Sequence, residues 1–340
     1  MKKLSALIAG GMALLLAACG STTPDPGSTN GDPAAPGEAS VVKVAHLPST
    51  LFAPVYIAAA KGYYTEAGLD VQLEAVKSGQ DAIPLLASGK LDALAAGFSA
   101  GMFNAMHEGL EFQIVGSMGV NTGDPENSPT MLLGAKQFSD DGSVATLVDL
   151  KGKKIAAAGG PGATGGFLTA SILAAEGLTL NDVEIVNLAT PDMPNALETG
   201  AVAAALASAP VSGRIVADGL GVVLGVPAEG VGSSGLMFGP EFAKGDAAQK
   251  FFDATARGAA DLQGDGISDE ENLKILAEAT SQELDALKAV PLYRYDAKLA
   301  PQTETITQME EIWMTGGQLS YTEPLDMTKL VNEAFSQNVA

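Results

Sequence analysis

Apolar and polar positions along residues 42–75 predict a strand, a loop, a helix and a second strand. Residues 42–45 form a short apolar run that is typical of a buried strand, and Pro48 interrupts this pattern. Pro54 suits the first turn of the following helix, because its missing N–H would have no partner there. Gly62 is placed to end that helix, and alternation in residues 71–75 predicts the next strand. The unit indicates an α/β fold.

The same pattern returns about a hundred residues later in the chain. Residues 81–95 (DAIPLLASGKLDALA) and 192–206 (DMPNALETGAVAAAL) both begin with aspartate and carry a proline two or three positions on. In both, apolar residues at helical spacing lead to a glycine and then to a strand of small residues. A Gly-Leu turn and a strand precede each copy, at residues 68–69 and 177–178. The repetition predicts two similar α/β lobes with parallel sheets.

Loop-like segments indicate where the chain passes between these lobes. Residues 121–129 (NTGDPENSP) have turn composition, and a Gly-rich stretch precedes residue 235. We therefore predict a first part of lobe 1 at residues 41–132 and a lobe 2 at residues 133–232. Residues 233–340 are expected to cross back and place C-terminal helices on lobe 1. Two short crossing segments would then bridge a cleft between the lobes.

The amino terminus has the pattern of a targeting segment. Lys2 and Lys3 precede an apolar run that is shorter than the ~20 residues of a membrane-spanning helix. The run ends in LAACG, which resembles a bacterial lipoprotein signal and implies a signal peptide at residues 1–18 and lipidation of Cys19. The alternative is an ordinary secretory signal with an incidental cysteine. The polar, Pro- and Gly-rich remainder of residues 19–40 predicts a flexible tether, so we expect an extracytoplasmic domain anchored to the membrane by lipid, either in the periplasm or on the outer face of the membrane.

Composition excludes several function classes. The formal net charge of −21 would repel nucleic acid, which is not expected as a partner. Cys19 is the single cysteine, so the folded part has neither a disulfide framework nor a cysteine-built metal site. His46 and His107 are the two histidines; they lack the H-E-x-x-H spacing of a zinc motif, and they do not support a Ser-His-Asp triad. We therefore predict no enzyme activity, cofactor or metal.

Candidate ligand contacts follow the predicted strands at their carboxyl ends, where open α/β sheets bind ligands and helix N-termini offer free N–H groups. For each loop the alternative is that it caps its own helix, and Asp192 in particular has a helix-capping alternative. Phe52 and Phe98 are candidates to stack on a planar ligand, with a core position as the alternative. Residues 49–52 are expected to face 162–164, within a Gly-rich stretch where the backbone would approach a ligand. The ligand-binding candidates are His46, Ser49, Thr50, Phe52, Ser78, Gly79, Gln80, Phe98, Ser99, Gly162, Thr164 and Asp192.

Residues 42–119, the DLKGK turn at 149–153, residues 177–194 and the YTEPLD stretch at 321–326 together resemble one family. They are similar to the solute-binding proteins of ABC importers in the sulfonate, nitrate, taurine and thiamine-precursor group. The resemblance implies a type 2 periplasmic-binding-protein fold, a monomer, and hinge closure on a solute. It also implies delivery to a membrane permease driven by an ATPase. The chain departs from many relatives at residues 208–210 (SAP), where they carry a glutamate before the proline.

The expected ligand is a small polar or anionic organic solute of the sulfonate, nitrate or taurine kind. One alternative is a neutral heteroaromatic vitamin precursor resembling the thiamine pyrimidine. Another is an enzyme on the same fold, although the related pyrimidine-synthesising enzymes depend on a cysteine-rich segment that this chain lacks. A third is a sensor subunit that serves a receptor kinase instead of a permease. The sequence leaves these alternatives open.

Overall fold

The computed structural model describes residues 39–339. The predicted signal peptide at 1–18, Cys19 and nearly all of the tether lie outside the described residues, so these stay predictions. Within residues 39–339, no helix is both long enough and apolar enough to cross a membrane. The described strands are β1 (Ser40–His46), β2 (Leu69–Ala75), β3 (Ala93–Gly97), β4 (Gln113–Ser117), β5 (Thr130–Ala135), β6 (Lys154–Ala157), β7 (Glu184–Asn187), β8 (Ala204–Ser208), β9 (Gly221–Gly225) and β10 (Ser234–Phe238).

Helices cover the strands and fill the carboxyl-terminal third. Several are single turns, and the longest follows the last strand. The described α-helices are α1 (Ala53–Ala60), α2 (Tyr63–Glu66), α3 (Gly79–Ala87), α4 (Ala100–His107), α5 (Lys136–Asp140), α6 (Thr164–Leu173), α7 (Met193–Glu198), α8 (Val211–Ala217), α9 (Asp246–Ala260), α10 (Glu270–Thr280), α11 (Leu284–Lys288), α12 (Thr303–Thr315), α13 (Met327–Leu330) and α14 (Ala334–Gln337).

The strands form two five-stranded sheets with the same internal order. Sheet 1 runs β2-β1-β3-β10-β4 and sheet 2 runs β7-β6-β8-β5-β9. Each strand of sheet 1 therefore has a counterpart in sheet 2, which confirms the predicted two-lobed α/β fold. The sheets were predicted to be parallel, but each contains one antiparallel strand: β10 in sheet 1 and β5 in sheet 2. Each of these strands enters its sheet from the other lobe, which reverses its direction.

The first crossing lies between β4 and β5, and the second between β9 and β10. Strand β5 pairs with β8 from Thr130 onward, so it belongs to lobe 2 from its first residue. The boundary predicted after residue 132 falls inside this strand, which pairs with β8 from residue 130 to residue 134. A short apolar run such as 130–135 does not by itself reveal which sheet it joins.

A third segment runs beside the two crossings. The amide of Val120 donates to the Arg294 carbonyl at 2.8 Å, and the Arg294 amide donates back to Val120 at 3.1 Å. The first crossing also pairs with the second, because the Asn121 amide donates to the Val231 carbonyl at 3.0 Å. The hinge therefore contains three hydrogen-bonded segments where the sequence predicted two.

The C-terminal helices pack on lobe 1 with one exception. Helix α9 buries Phe251 and Phe252 and lies against α1, as its apolar residues at helical spacing require. Helix α12 instead contacts α4 of lobe 1 and α6 of lobe 2. Its Trp313 is fully buried, with ring centroids 5.5 Å from Phe103 and 6.3 Å from Phe167. The apolar core is thus continuous from one lobe to the other along α12.

Candidate functional site

The two lobes meet where the loop after β3 touches the loop after β6. Ser99 and Ala163 form an antiparallel bridge, and the Ala100 amide donates to the Gly162 carbonyl at 2.8 Å. We call residues 98–100 and 162–164 the interlobe junction. The sequence predicted residues 49–52 as the partner of 162–164, and the observed partner is the β3–α4 loop instead.

Thr164 adds a side-chain link to this junction. Its hydroxyl lies 3.2 Å from the Phe98 carbonyl and 3.4 Å from the Ser233 carbonyl, and it donates to them. A β-carbon on Gly97 would lie 2.5 Å from the Thr164 Oγ1, so glycine is needed for this approach. Thr164 therefore binds lobe 1 in this conformation and does not cap its own helix.

The Gly-rich loop before α6 is packed against the protein itself. The Gly159 amide donates to Asn187 Oδ1 at 2.9 Å, and Gly159 and Gly160 have φ values of 80° and 76°. Trp313 Nε1–H donates to the Pro161 carbonyl at 3.1 Å. A β-carbon on Gly166 would lie 2.1 Å from the same carbonyl oxygen. The glycines thus serve the fold of the loop, and close backbone approach to a ligand at this loop stays a prediction.

Two of the predicted loop residues cap their own helices. Ser49 Oγ accepts the Leu51 amide at 3.2 Å, and Ser99 Oγ accepts the Met102 amide at 3.3 Å. Ser78 occupies the residue before α3, but its side chain forms no cap hydrogen bond. The capping alternative therefore holds for Ser49 and Ser99 but not for Ser78.

Asp192 is exposed at the start of α7 and forms no side-chain cap hydrogen bond, so the capping alternative fails there. The structure places it after β7, at the carboxyl end of that strand in sheet 2. Its role as a ligand contact stays a prediction.

The two candidate stacking rings lie in the core. Phe52 is 1% exposed and Phe98 is 4% exposed. The Phe98 ring packs so closely over Gly235 that a β-carbon there would lie 2.4 Å from it. Neither ring exposes a face in this structure, and the stacking role stays a prediction. Buried aromatic residues of this kind supply apolar contact area to the lobe.

Gly79 and Gln80 lie at the start of α3, close to β3 and to the start of α4. Gly79 is buried, and a β-carbon on it would lie 2.6 Å from the Ala96 side chain. The Gln80 side chain lies over Gly101 at the start of α4, where a β-carbon would be 2.3 Å from Nε2 of Gln80. The two positions therefore pack against β3 and α4, the elements on either side of the lobe 1 half of the junction.

His46 ends β1 and is held by Tyr56. Its Nδ1 lies 2.9 Å from the Tyr56 hydroxyl, and the two rings meet edge to face with centroids 5.2 Å apart. Burial lowers the pKa of the His46 imidazole, and a hydrogen bond with the Leu47 backbone opposes this change. His46 is therefore neutral at physiological pH.

Three tyrosine hydroxyls surround this part of the site, and sequence reasoning did not select them for ligand binding. Burial raises the pKa of Tyr56 to about 12 and holds that of Tyr295 well above its usual value. Tyr295 donates to the Thr50 carbonyl, and the Tyr293 hydroxyl lies 3.0 Å from Thr130 Oγ1 of lobe 2. Tyr293 stands 163 residues from Thr130 and Tyr295 stands 245 residues from Thr50, so no local pattern could reveal them.

Comparison with protein families gives a match over much of this architecture. The model of the NMT1-like family matches residues 35–229, which is more than half of the chain. The chain belongs to the NMT1-like family. The matched range includes β1, the interlobe junction and all of sheet 2. A search of curated protein sequences finds no significant match.

Solved structures similar to this NMT1-like protein include periplasmic solute-binding proteins. The alkanesulfonate-binding protein of Xanthomonas axonopodis pv. citri, bound to MOPS, has 17% identity and a TM-score of 0.65 over 87% of this chain and 99% of its own. The nitrate-binding protein of Synechocystis PCC 6803 has 15% identity and a TM-score of 0.68, covering 89% and 88%.

A Candida albicans protein described as having the generic periplasmic binding protein fold has 15% identity and a TM-score of 0.64, covering 86% and 96%. These likenesses confirm the predicted type 2 periplasmic-binding-protein fold of this chain.

Proposed function

We propose that this protein is the extracytoplasmic solute-binding component of an ABC importer. It captures a small polar or anionic organic solute by hinge closure and delivers it to a permease that an ATPase drives. A lipid on Cys19 anchors it to the membrane, and it acts as a monomer that binds without catalysis. The sulfonate- and nitrate-binding proteins of the same fold support this proposal.

The observation that carries the proposal is the direct contact between two like lobes at the carboxyl edges of their sheets. The Ala100–Gly162 hydrogen bond and the Thr164 hydroxyl join loops that follow β3 and β6. We assign this conformation to the closed form. Opening breaks these bonds at little cost, since a typical hydrogen bond contributes about 1 kcal/mol net. A solute that contacts both lobes then restores the closed form.

A solute screen tests binding. The full-length protein is heated with taurine, ethanesulfonate, nitrate, bicarbonate or cytosine. A true ligand at 100 times its Kd adds about 2.7 kcal/mol to the free energy of unfolding and raises Tm. Failure of every compound to raise Tm would contradict the proposed ligand class.

A second experiment tests closure. Thr164→Val removes the junction hydroxyl, whereas Thr169→Val removes a hydroxyl that donates to Gly165 within the same helix at 2.8 Å. We expect only Thr164→Val to raise the radius of gyration in X-ray scattering and to weaken solute binding. Emission from Trp313, the single tryptophan, should report the same change. Solute binding with no difference between the two variants would count against hinge closure.

A further inference from the structure

The hydroxyl of Tyr56 determines which ring nitrogen of His46 carries the proton. Tyr56 Oη lies 2.9 Å from the Leu47 carbonyl oxygen and 2.9 Å from His46 Nδ1. A carbonyl oxygen only accepts, and a tyrosine hydroxyl has one proton to donate. That proton lies toward Leu47, so Nδ1–H of His46 donates to Tyr56 Oη. Neutral His46 therefore has a free lone pair on Nε2.

The Nε2 atom is available at the carboxyl edge of sheet 1. Within residues 39–339 the one side chain that hydrogen-bonds the imidazole is Tyr56, through Nδ1, and the Leu47 backbone is the other polar partner of the ring. His46 is 7% exposed, and its Nε2 is not among the fully buried, unpartnered side-chain atoms of the described chain. Those atoms are Ser117 Oγ, Asn121 Oδ1, Ser234 Oγ and Asn272 Oδ1. His46 is the last residue of β1, at the edge where the proposed solute binds.

The groups around the imidazole carry no charge at neutral pH. On the two flanking strands, Ala75 and Ala95 pair with His46. Helix α1 contributes Tyr56, and the segment after α11 contributes Tyr295, whose hydroxyl bonds the adjacent Thr50 carbonyl. Burial keeps both tyrosines protonated by raising the pKa of each. None of these neighbours would stabilise an imidazolium cation by charge.

We propose that His46 contacts the solute as a hydrogen-bond acceptor through Nε2, so the cleft selects a solute with an N–H or O–H group at that point. An ammonium, amide, amino-heteroaromatic or hydroxyl group fits this acceptor. A bare oxyanion has only hydrogen-bond acceptors, so its lone pairs would be repelled by the lone pair on Nε2. This inference rests on the proposed solute-binding function and narrows its ligand class to donor-bearing solutes.

The tautomer can be measured without any solute. Nitrogen NMR of the full-length protein labelled with ¹⁵N-histidine gives signals from His46 and His107, the two histidines, and His107→Gln assigns them. We expect a protonated Nδ1 and an unprotonated Nε2 in neutral His46. Tyr56→Phe should remove this preference and give a mixture of tautomers. Protonation of Nε2 in the wild-type protein would overturn the inference.

Solute binding tests the selectivity. Taurine and ethanesulfonate share a sulfonate, and only taurine carries an ammonium group. We expect taurine to bind at least about tenfold more tightly. Its affinity should fall by up to about tenfold per pH unit below the His46 pKa, because the proton takes the lone pair. Cytosine provides the same comparison for an uncharged amino-heteroaromatic solute.

Two variants identify His46 as the source of this pH dependence. His46→Leu should abolish it, whereas His107→Gln, at a ring stacked on Tyr321 on another part of lobe 1, should retain it. Equal binding of ethanesulfonate and taurine, or affinity that rises on acidification, would overturn the inference. If no solute binds, the proposed function fails, and the NMR measurement still decides the state of His46.

Discussion

Gly166 shows how a missing β-carbon fixes the loop that touches the opposite lobe. A β-carbon there would lie 2.1 Å from the Pro161 carbonyl oxygen, the same oxygen that accepts Trp313 Nε1–H. A backbone oxygen cannot move aside without displacing residues 162–164 of the interlobe junction. The residue therefore supports closure without itself touching lobe 1.

We expect Gly166→Ala to destabilise the protein by about 1–3 kcal/mol, because overpacking displaces the loop. It should also weaken solute binding. Gly213→Ala is the matched control, since nothing lies within 4 Å of its β-carbon and it sits inside α8. That change should be neutral or stabilising by up to about 1 kcal/mol. Denaturant unfolding measures both, and equal effects would contradict the role given to Gly166.

At the residue scale, the sequence located site residues better than it assigned their roles. Ser49 and Ser99 stand in the predicted loops, but a serine before a helix suits capping as well as ligand binding, and both cap. Phe52 and Phe98 follow the predicted strands, but the side of the chain on which a ring packs depends on neighbours far away in sequence. Tyr293 was missed for the same reason.

At the element scale, α1, α2 and α9 are joined by one carboxylate. Asp261, at the end of α9, accepts from Lys61 Nζ at 2.8 Å and from the Tyr63 hydroxyl. Burial alone would raise the pKa of Asp261, but these two hydrogen bonds and the nearby charges lower it below its usual value. The ionised form of Asp261 therefore stabilises the packing of these helices.

The depressed pKa predicts a pH-dependent contribution to stability. The contribution is fully present above the unfolded pKa of about 3.9 and is lost as pH falls through the lower folded pKa. Asp261→Asn should cost about 1 kcal/mol or less at pH 7, as expected for a partly exposed pair, and the cost should disappear below the folded pKa.

Asp265→Asn is the control for the loss of a negative charge, since its carboxylate forms no ion pair within residues 39–339. Urea unfolding from about pH 2 to pH 7 measures the difference between each variant and the wild type. A cost for Asp261→Asn that stays constant down to the lowest pH would contradict the assignment.

Elements with a strong periodic pattern were predicted well. Apolar residues at helical spacing in residues 270–280 and 303–315 indicate helices, and the structure contains α10 and α12 with these bounds. The internal repeat likewise predicted the shared order of the two sheets. The antiparallel strands β5 and β10 could not be predicted, because their pairing depends on where the chain returns between lobes.

At the scale of the whole molecule, the lobes are joined on two sides. The three-segment hinge holds one side, and α12 with Trp313 bridges α4 and α6. The sequence predicted two lobes and a cleft but not α12 as a bridge, since apolar residues at helical spacing show that a face is buried without showing what buries it. The closed conformation must therefore accommodate both the hinge contacts and the contacts of α12 with α4 and α6.

Tyr293 links the hinge to lobe 2, and its removal tests whether that link favours closure. Its buried hydroxyl lies 3.0 Å from Thr130 Oγ1 in β5, while the buried hydroxyl of Tyr64 lies 2.9 Å from Thr255 Oγ1 entirely within lobe 1. Tyr293→Phe and Tyr64→Phe should each cost about 1 kcal/mol of stability, because each removes one buried hydrogen bond.

The two changes should differ in their effect on closure. If the Tyr293–Thr130 bond forms only in the closed state, its loss moves the equilibrium toward the open state by about fivefold for 1 kcal/mol. Tyr293→Phe should then weaken solute binding and raise the radius of gyration, whereas Tyr64→Phe should change neither. Equal scattering and equal affinity in the two variants, at equal cost in stability, would show that the hinge holds this bond in both states. In that case closure would depend on the interlobe junction and not on the hinge.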